Sequence, residues 1–438
     1  MGVSAGSARE KITPALPTYL AGYFHERVAR RVRDELYARA LVFSGNRTLA
    51  LVVLDLAHVH ECVTEPAKAL IHQRLGIGPE CVMISATHTH TGPEIAPGEP
   101  MPQCVELVHA LPGVIARTVE QAVLGLADVS LRPGATEVHG YSHNRLFRLA
   151  DGTEVFGRRP GPVIGGAGEI EPELLTLGAV DGEERLRALA VSFALHPDVI
   201  GGGTADFISA DWPGEIARNV ASVYGEEAFS LFLQGTCGDI NHVTHFPTRL
   251  PTGGEAKAVQ LGRALAGAAM YAAERAEPME DVTLDAKLLV LEVPYYTRDA
   301  AFFRELQALR AKSDPSSFDR RTLLAGEAWA HDGEMARVPV QAMRLGEVGL
   351  VALPAEIFSG IGREIRRYSP FRHTFVVEQA NARSSVYVPT VSQAERGAYG
   401  ALPILSRWLS ADAGRRIGDA AIRLLHELNP GVGQTTGG

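Results

Sequence analysis

The chain has 438 residues, 46% of them hydrophobic and 21% charged, with a formal net charge of −9. A length of this order buries one large core or two intimately packed halves, and the composition excludes both a small stapled module and a largely disordered chain. The acidic balance comes without any Lys/Arg-rich run, which disfavours nucleic acid and anionic membrane surfaces and leaves a small-molecule substrate as the expected partner, with a homo-oligomer left open.

Cys62, Cys81, Cys104 and Cys237 form no CxxC pair and read as reduced thiols, Cys81 and Cys237 as simple packing residues. Residues 1–23 lack a basic segment followed by an apolar core, and no apolar run approaches a membrane span. A cytoplasmic chain is therefore the expectation.

In chain order, Lys11-Ile12-Thr13-Pro14 reads as an extended entry, and residues 36–43 and 48–56 flank Ser44-Gly45-Asn46-Arg47 as a hairpin. A helix over 65–75 follows, with Thr64 as its cap, Pro66 in the first turn and Gly76 as its stop. A strand over 81–85 then runs into Ser85-Ala86-Thr87-His88-Thr89-His90-Thr91-Gly92-Pro93-Glu94. Strand alternation would send His88 and His90 to one side, and imidazole is the commonest protein ligand for zinc and similar ions.

Residues 158–168 form a Gly/Pro-rich loop. A strand over 188–195 ends in His196-Pro197, a second imidazole presented by a chain about to turn. Asp211 caps a helix over 213–224, and a strand over 229–233 leads into Gln234-Gly235-Thr236-Cys237-Gly238-Asp239-Ile240-Asn241-His242. That loop has small residues which let a substrate approach, with Asp239 and Asn241 at alternating positions; a tight turn closed by an Asx hydrogen bond is the other reading.

Helices are expected over 255–275, 300–312 and 411–428. The hairpin, helix, strand order recurs at 340–345, 350–353, 355–368 and 374–378, with Glu356 placed like Asp55 after an apolar strand. The expected fold is therefore α/β, a layered mixed-sheet catalytic domain with two pseudo-similar β-hairpin–helix–strand halves. It would span 1–430, with halves 1–280 and 281–430 and a flexible tail over 431–438.

Catalytic metal sites draw a few ligands from several strand ends and keep one position open. The motifs around His88 and His196, with Ser209-Ala210-Asp211-Trp212-Pro213-Gly214, Gln234 to Asn241, Leu353-Pro354-Ala355-Glu356 and Tyr387-Val388-Pro389-Thr390, resemble the neutral/alkaline, non-lysosomal ceramidase family. The likeness runs in order over most of the chain. It implies a zinc ion held by His88, His196, Glu356 and Tyr387, with Tyr399 as the alternative tyrosine, and it implies that His90 and Arg145 line the zinc pocket.

Where ceramidases read Gly-Asp-Val-Ser-Pro, this chain reads Gly238-Asp239-Ile240-Asn241-His242, so the family's catalytic serine position holds Asn241. The chain also ends soon after the catalytic region, as a catalytic-domain-only member would. Asparagine cannot serve as nucleophile or base near neutral pH, but it can hydrogen-bond a carbonyl or orient water. Hydrolysis then falls to a metal-activated water, whose pKa zinc lowers from about 16 toward roughly 7.

The expected roles follow: Arg145 and Asn241 contact substrate, Tyr387 stabilises the oxyanion, His90 shuttles the proton and Asp239 orients His90 or the water. The resulting reading is a zinc-dependent hydrolase of a carbon–nitrogen bond in a small or amphiphilic amide. A metal-dependent ester or lactone hydrolase and a non-catalytic metal- or ligand-binding protein are the alternatives. Mn²⁺ or Fe²⁺ would suit the same ligands.

Overall fold

A computed structural model describes residues 2–23, 25–97, 101–156, 162–244, 250–280 and 282–429. The tail expected at 431–438 lies outside them, as does part of the 158–168 loop. The hairpin at 36–56 is present as β2 (Tyr37–Ser44) and β3 (Thr48–Leu54), running on from β1 (Val3–Lys11). β2 and β3 are buried along nearly their whole length, as continuous Val/Leu/Ala runs become when both faces of a sheet are covered.

Helix α1 (Glu61–Leu75) carries the chain over to β4 (Val82–Ala86), which pairs parallel with β3. α2 (Val105–Leu124), β5 (Ala127–Glu137), β6 (Glu173–Val180) and β7 (Leu186–Phe193) follow. α3 (Asp211–Tyr224) then links β7 to β8 (Phe229–Gln234), again in parallel. Together the eight strands form one mixed sheet, in the order β8-β7-β6-β5-β1-β2-β3-β4.

After α4 (Gly254–Glu274), a second sheet has the order β9-β10-β11-β13, from β9 (Leu284–Pro294), β10 (Met335–Leu345), β11 (Val348–Ala352) and β13 (His373–Val377). A helical hairpin, α5 (Ala300–Arg310) and α6 (Ser317–Ala328), interrupts it between β9 and β10. A two-strand ladder joins β12 (Glu356–Ile357) to β14 (Tyr387–Val388), α7 (Ser359–Tyr368) precedes β13, and α8 (Ala413–Leu428) covers this sheet.

The repeat expected from the sequence is present in topology. β2-β3-α1-β4 and β10-β11-α7-β13 share both the order and the ladder senses, antiparallel and then parallel. The eight-stranded sheet curls until its edge strands β8 and β4 meet each other, and β13 lies against β8. Backbone bonds sew the carboxyl ends of these three strands together: Ala86 N–H to Gln379 O at 3.1 Å, Asn381 N–H to Ile84 O at 2.7 Å and Glu378 N–H to Gln234 O at 3.0 Å. One apolar cluster, including Leu51, Ile84, Met343, Leu350 and Phe375, fills the space between the sheets.

Several sequence expectations shift. α1 starts a turn earlier than expected, because the His60 ring accepts the Cys62 N–H at 3.2 Å, leaving Pro66 inside the helix and Thr64 buried against Asn381. α7 starts at Ser359, later than expected, because Glu356 and Ile357 are taken up in the ladder with Tyr387 and Val388. Residues 3–11 form a central strand although their small side chains carry no alternation of strand type, and α2, β5, β6 and α6 had no assignment from sequence.

Candidate functional site

Four strand ends supply the site. Beyond β4 the chain leaves the sheet at Ala86, so alternation does not place the paired histidines as expected. His88 instead takes a left-handed conformation (φ 68°), and this turn is what brings its ring and that of His90 to the same point. Thr89 and Thr91 fasten the loop by donating to Ser209 O at 2.7 and 2.8 Å, and His90 N–H donates to Pro197 O at 3.0 Å, tying it to the loop after β7.

His196 leaves the end of β7. Glu356, on β12, stands directly beside Tyr387 on β14. The side chains converge: His88 Nε2 lies 3.1 Å from His196 Nε2 and 3.4 Å from His90 Nε2. Glu356 Oε2 lies 3.1 Å from His196 Nε2 and 3.6 Å from His88 Nε2.

The outer ring nitrogens define the tautomers. His88 Nδ1–H donates to Ala57 O at 2.5 Å and His196 Nδ1–H to the carbonyls of Cys237 and Ile240 at 2.9 and 3.0 Å, so both Nε2 lone pairs face inward. His90 differs, for its buried Nδ1 has no partner among the described residues. Gly22, at φ 94°, makes room for it; a Cβ there would stand 2.6 Å from His90 Nδ1.

This donor set suits a divalent cation. Atoms about 2.0–2.1 Å from a tetrahedral zinc stand roughly 3.3 Å from one another, and the spacings of 3.1–3.6 Å among His88, His196 and Glu356 match that. His90 Nε2 stands 3.4 Å from His88 Nε2, so His88, His90 and His196 form a second group of three that could hold an ion. The electrostatics divide the histidines. Burial opposes charge on His88, but Glu356 outweighs it and raises the imidazole's pKa, while the histidines in turn hold Glu356 well below the usual carboxylate range despite burial. Burial and the neighbouring positive charges push His90 and His196 down, keeping them neutral, the form that ligates metals.

Beneath the cluster, Glu378 is wholly buried. It accepts hydrogen bonds from Ile357 N–H at 2.6 Å and Cys237 N–H at 3.2 Å, and Cys237 Sγ–H donates to its other oxygen at 3.0 Å. Burial pushes Glu378 up to about 8. Cys237, expected to be mere packing, also lies 3.1 Å from His196 Nδ1 and so belongs to the support of that ligand.

His88, His90 and Glu356 line the floor of a cavity of about 420 Å³, with His196 buried behind them. Arg145 Nη1 donates to Tyr387 OH at 3.3 Å and to Gly238 O at 3.2 Å, and its guanidinium lies over the Tyr399 ring at 4.3 Å. Burial and the charge of Glu356 push the Tyr387 phenol well above its ordinary value, so it remains a donor. Between the two tyrosine candidates the structure puts Tyr387 beside Glu356, and Tyr399, 38% exposed, along the wall.

Asp239 and Asn241 do not line the cavity. Asp239 accepts from Ser359 N–H, Asn144 Nδ2–H and Gln393 Nε2–H at 2.7, 2.9 and 3.1 Å, while its carbonyl holds Arg145 N–H at 2.8 Å; it props up Arg145. Asn241 Nδ2 reaches Asp198 Oδ1 at 3.5 Å, and His242 Nδ1 lies 3.1 Å from the same oxygen. Asp198 itself faces the cavity, with Tyr23 OH 3.5 Å from its second oxygen.

Sequence reasoning assigned no role to Asp198, Glu94 or His58, all of which line the cavity, nor to Arg321, Leu324, Ala325 and Ala328 of α6 at its mouth. Asp198 follows His196 by two residues and Glu94 closes the His88 motif, so proximity to the histidine motifs was the available signal. For α6 there was none.

No protein-family model matches the chain, and no curated protein matches its sequence. Solved structures do. The crystal structure of neutral ceramidase from Pseudomonas aeruginosa superposes with a TM-score of 0.77 at 20% identity, over 98% of this chain and 74% of that one. A ceramidase complexed with C2 gives a TM-score of 0.74 at 18% identity, over 98% and 76%. The chain therefore has the fold of the neutral ceramidases. Among the described residues no helix is long and apolar enough to cross a membrane.

Proposed function

We propose that this protein is a metal-dependent hydrolase of the neutral ceramidase family that cleaves an amide bond, with zinc as the ion and His88, His196 and Glu356 as its holders. The observation that carries the proposal is the meeting of His88 Nε2, His196 Nε2 and Glu356 Oε2 at 3.1–3.6 Å, with both histidines aimed by backbone carbonyls. The neighbours are ceramidases, which supports an amide bond in an amphiphilic molecule as the target.

When bound, zinc supplies Lewis acidity, lowering the pKa of water to roughly 7 and polarising a carbonyl. The chain's own residues supply the rest. Tyr387 O–H and Arg145, hydrogen-bonded to each other on the Glu356 side, present donors to the carbonyl oxygen as negative charge develops there. His90 Nε2, 3.4 Å from His88 Nε2, takes a proton from water as the carbon–oxygen bond forms and delivers it to the leaving nitrogen as the carbon–nitrogen bond breaks. Asp239 and Asn241 are positioning residues, acting through Arg145 and Asp198.

Metal analysis of the purified protein, followed by chelation and reloading with zinc, manganese or iron(II) while matched amides and esters are assayed, tests this. One zinc per chain and amide turnover that vanishes on chelation are expected. Full amide hydrolysis without a divalent ion, or stoichiometric zinc with no turnover of any acyl substrate, ends the proposal. Faster turnover of esters with negligible amide cleavage moves it to the ester class.

A further inference from the structure

A second polar cluster lines the same cavity apart from the ion-binding floor. Glu94 and His58 are 1% and 5% exposed, and His58 Nε2 lies 3.0 Å from Glu94 Oε1. A carboxylate that is ionised only accepts, so His58 Nε2 carries the proton, and in the neutral ring Nδ1 is the acceptor. Ala96 N–H donates to the same Glu94 oxygen at 2.8 Å.

The backbone of Glu94 is held on both sides, its N–H on Tyr19 O at 3.0 Å and its carbonyl accepting from Cys104 N–H at 2.8 Å. His58 directly follows Ala57, whose carbonyl orients His88. The pair is therefore rigid and adjoins the first metal-ligand candidate. Glu94 stays charged despite burial because His58 and Arg383 stand near it.

Glu94 Oε2 has no hydrogen-bond partner among the described residues, although the side chain lines the cavity. An ionised oxygen in that position calls for a donor from a ligand. An ammonium would meet a mixed field there, because Arg145, Arg321 and Arg383 line the same space as Asp198 and Glu356. A pair of hydroxyls serves both acceptors at once: one donates to Glu94 Oε2, and its neighbour can donate to His58 Nδ1. The volume of about 420 Å³ is near the small end of ligand pockets, suiting a compact group.

We propose that Glu94 and His58 form a subsite for vicinal hydroxyls, and hence that the substrate is a compact polyhydroxylated amide. This inference rests on the amide-hydrolase reading for its placement beside the reacting bond, but the subsite can be tested without turnover. The hydroxyls can belong to the amine portion, as in an N-acylated amino sugar, or to the acyl portion, as in a sugar-acid amide.

The experiment compares N-acetylglucosamine and gluconamide with the hydroxyl-free N-cyclohexylacetamide and hexanamide, on wild type, Glu94→Gln and His58→Ala. Hydrolysis is followed on the metal-loaded protein and binding by calorimetry. A preference for one hydroxylated compound of about 10- to 100-fold in kcat/KM or affinity is expected in wild type, with most of it lost in both variants. Which compound is preferred assigns the portion.

Gln keeps an oxygen for Ala96 N–H, so Glu94→Gln should fold, and unchanged melting checks this. Equal or better use of the hydroxyl-free compounds by wild type, or equal losses on both classes in Glu94→Gln, overturns the subsite. If no amide is turned over, the hydrolase reading fails, while the calorimetric preference and its loss in the variants still decide the subsite. Absence of any such preference refutes it.

Discussion

At the floor of the cavity, His88, His196 and Glu356 are 2%, 0% and 7% exposed, and their neighbours Cys237 and Glu378 are wholly buried. At the mouth, Leu324 is 65% exposed. The floor hangs from strand ends of both sheets, stitched to one another by backbone hydrogen bonds. The mouth is formed partly by α6, whose hairpin packs through a small satellite cluster around Phe302, Leu306 and Ile404.

The difference separates two kinds of task. Atoms that must stand about 3 Å apart to share an ion need a scaffold that cannot relax, whereas a rim that admits a substrate needs only to be present. Mutations should then fall in strength from floor to mouth, and a large effect at the rim would break the comparison.

The largest effect belongs to His196→Ala. Loss of the central nitrogen should remove bound metal and lower activity at least about a thousandfold, roughly 4 kcal/mol; retained zinc by elemental analysis would contradict it. Next comes Tyr387→Phe, which takes a donor from the reacting oxygen and should lower kcat by about 100-fold with little change in metal content.

Glu378→Gln probes the support under the floor. In the unfolded chain this carboxyl loses its proton near its ordinary pKa of about 4.3, while in the folded protein burial holds the proton until about 8. Within that window the folded state binds the extra proton, so its contribution to stability falls as pH rises, by up to about 1.4 kcal/mol per pH unit, and levels off above about 8. The variant cannot titrate. Its unfolding free energy in metal-free buffer should lack that part of the slope from pH 5 to 8, and identical slopes would refute the assignment.

Leu324→Ser should do least. An exposed side chain at the rim should change stability by less than about 0.5 kcal/mol and act, if at all, on KM. A drop in kcat like that of Tyr387→Phe would show that the rim takes part in the chemistry.

The legible parts of the sequence share a property. The hairpins, the helix after each and the strand after that have uninterrupted apolar runs and clear turn residues, so local pattern suffices. His88 and His196 were legible because each follows such a strand. Illegible were β1, whose small residues become a central strand only when β2 and β5 pair with it, and α6, a solvent-facing insertion without a strong apolar stripe.

Within the site, Tyr387 stands against Glu356 only because a ladder pairs their two strands. The ring hydrogen bonds of His88 and His196, and the turning of Asp239 away to prop Arg145, depend on partners distant in the chain.

By itself, then, the sequence determined the α/β alternation, the repeated unit and the residue types fit for a metal, because hydrophobic period and side-chain chemistry are local properties. Tertiary structure alone decided which of those residues meet. His196 stands 108 residues from His88 and 160 from Glu356 along the chain, and their contact exists only because the curled sheet brings its edges together against the second sheet. Glu94 and His58 show the same dependence: 36 residues apart, they become one polar wall when two loops close over the ends of β3 and β4.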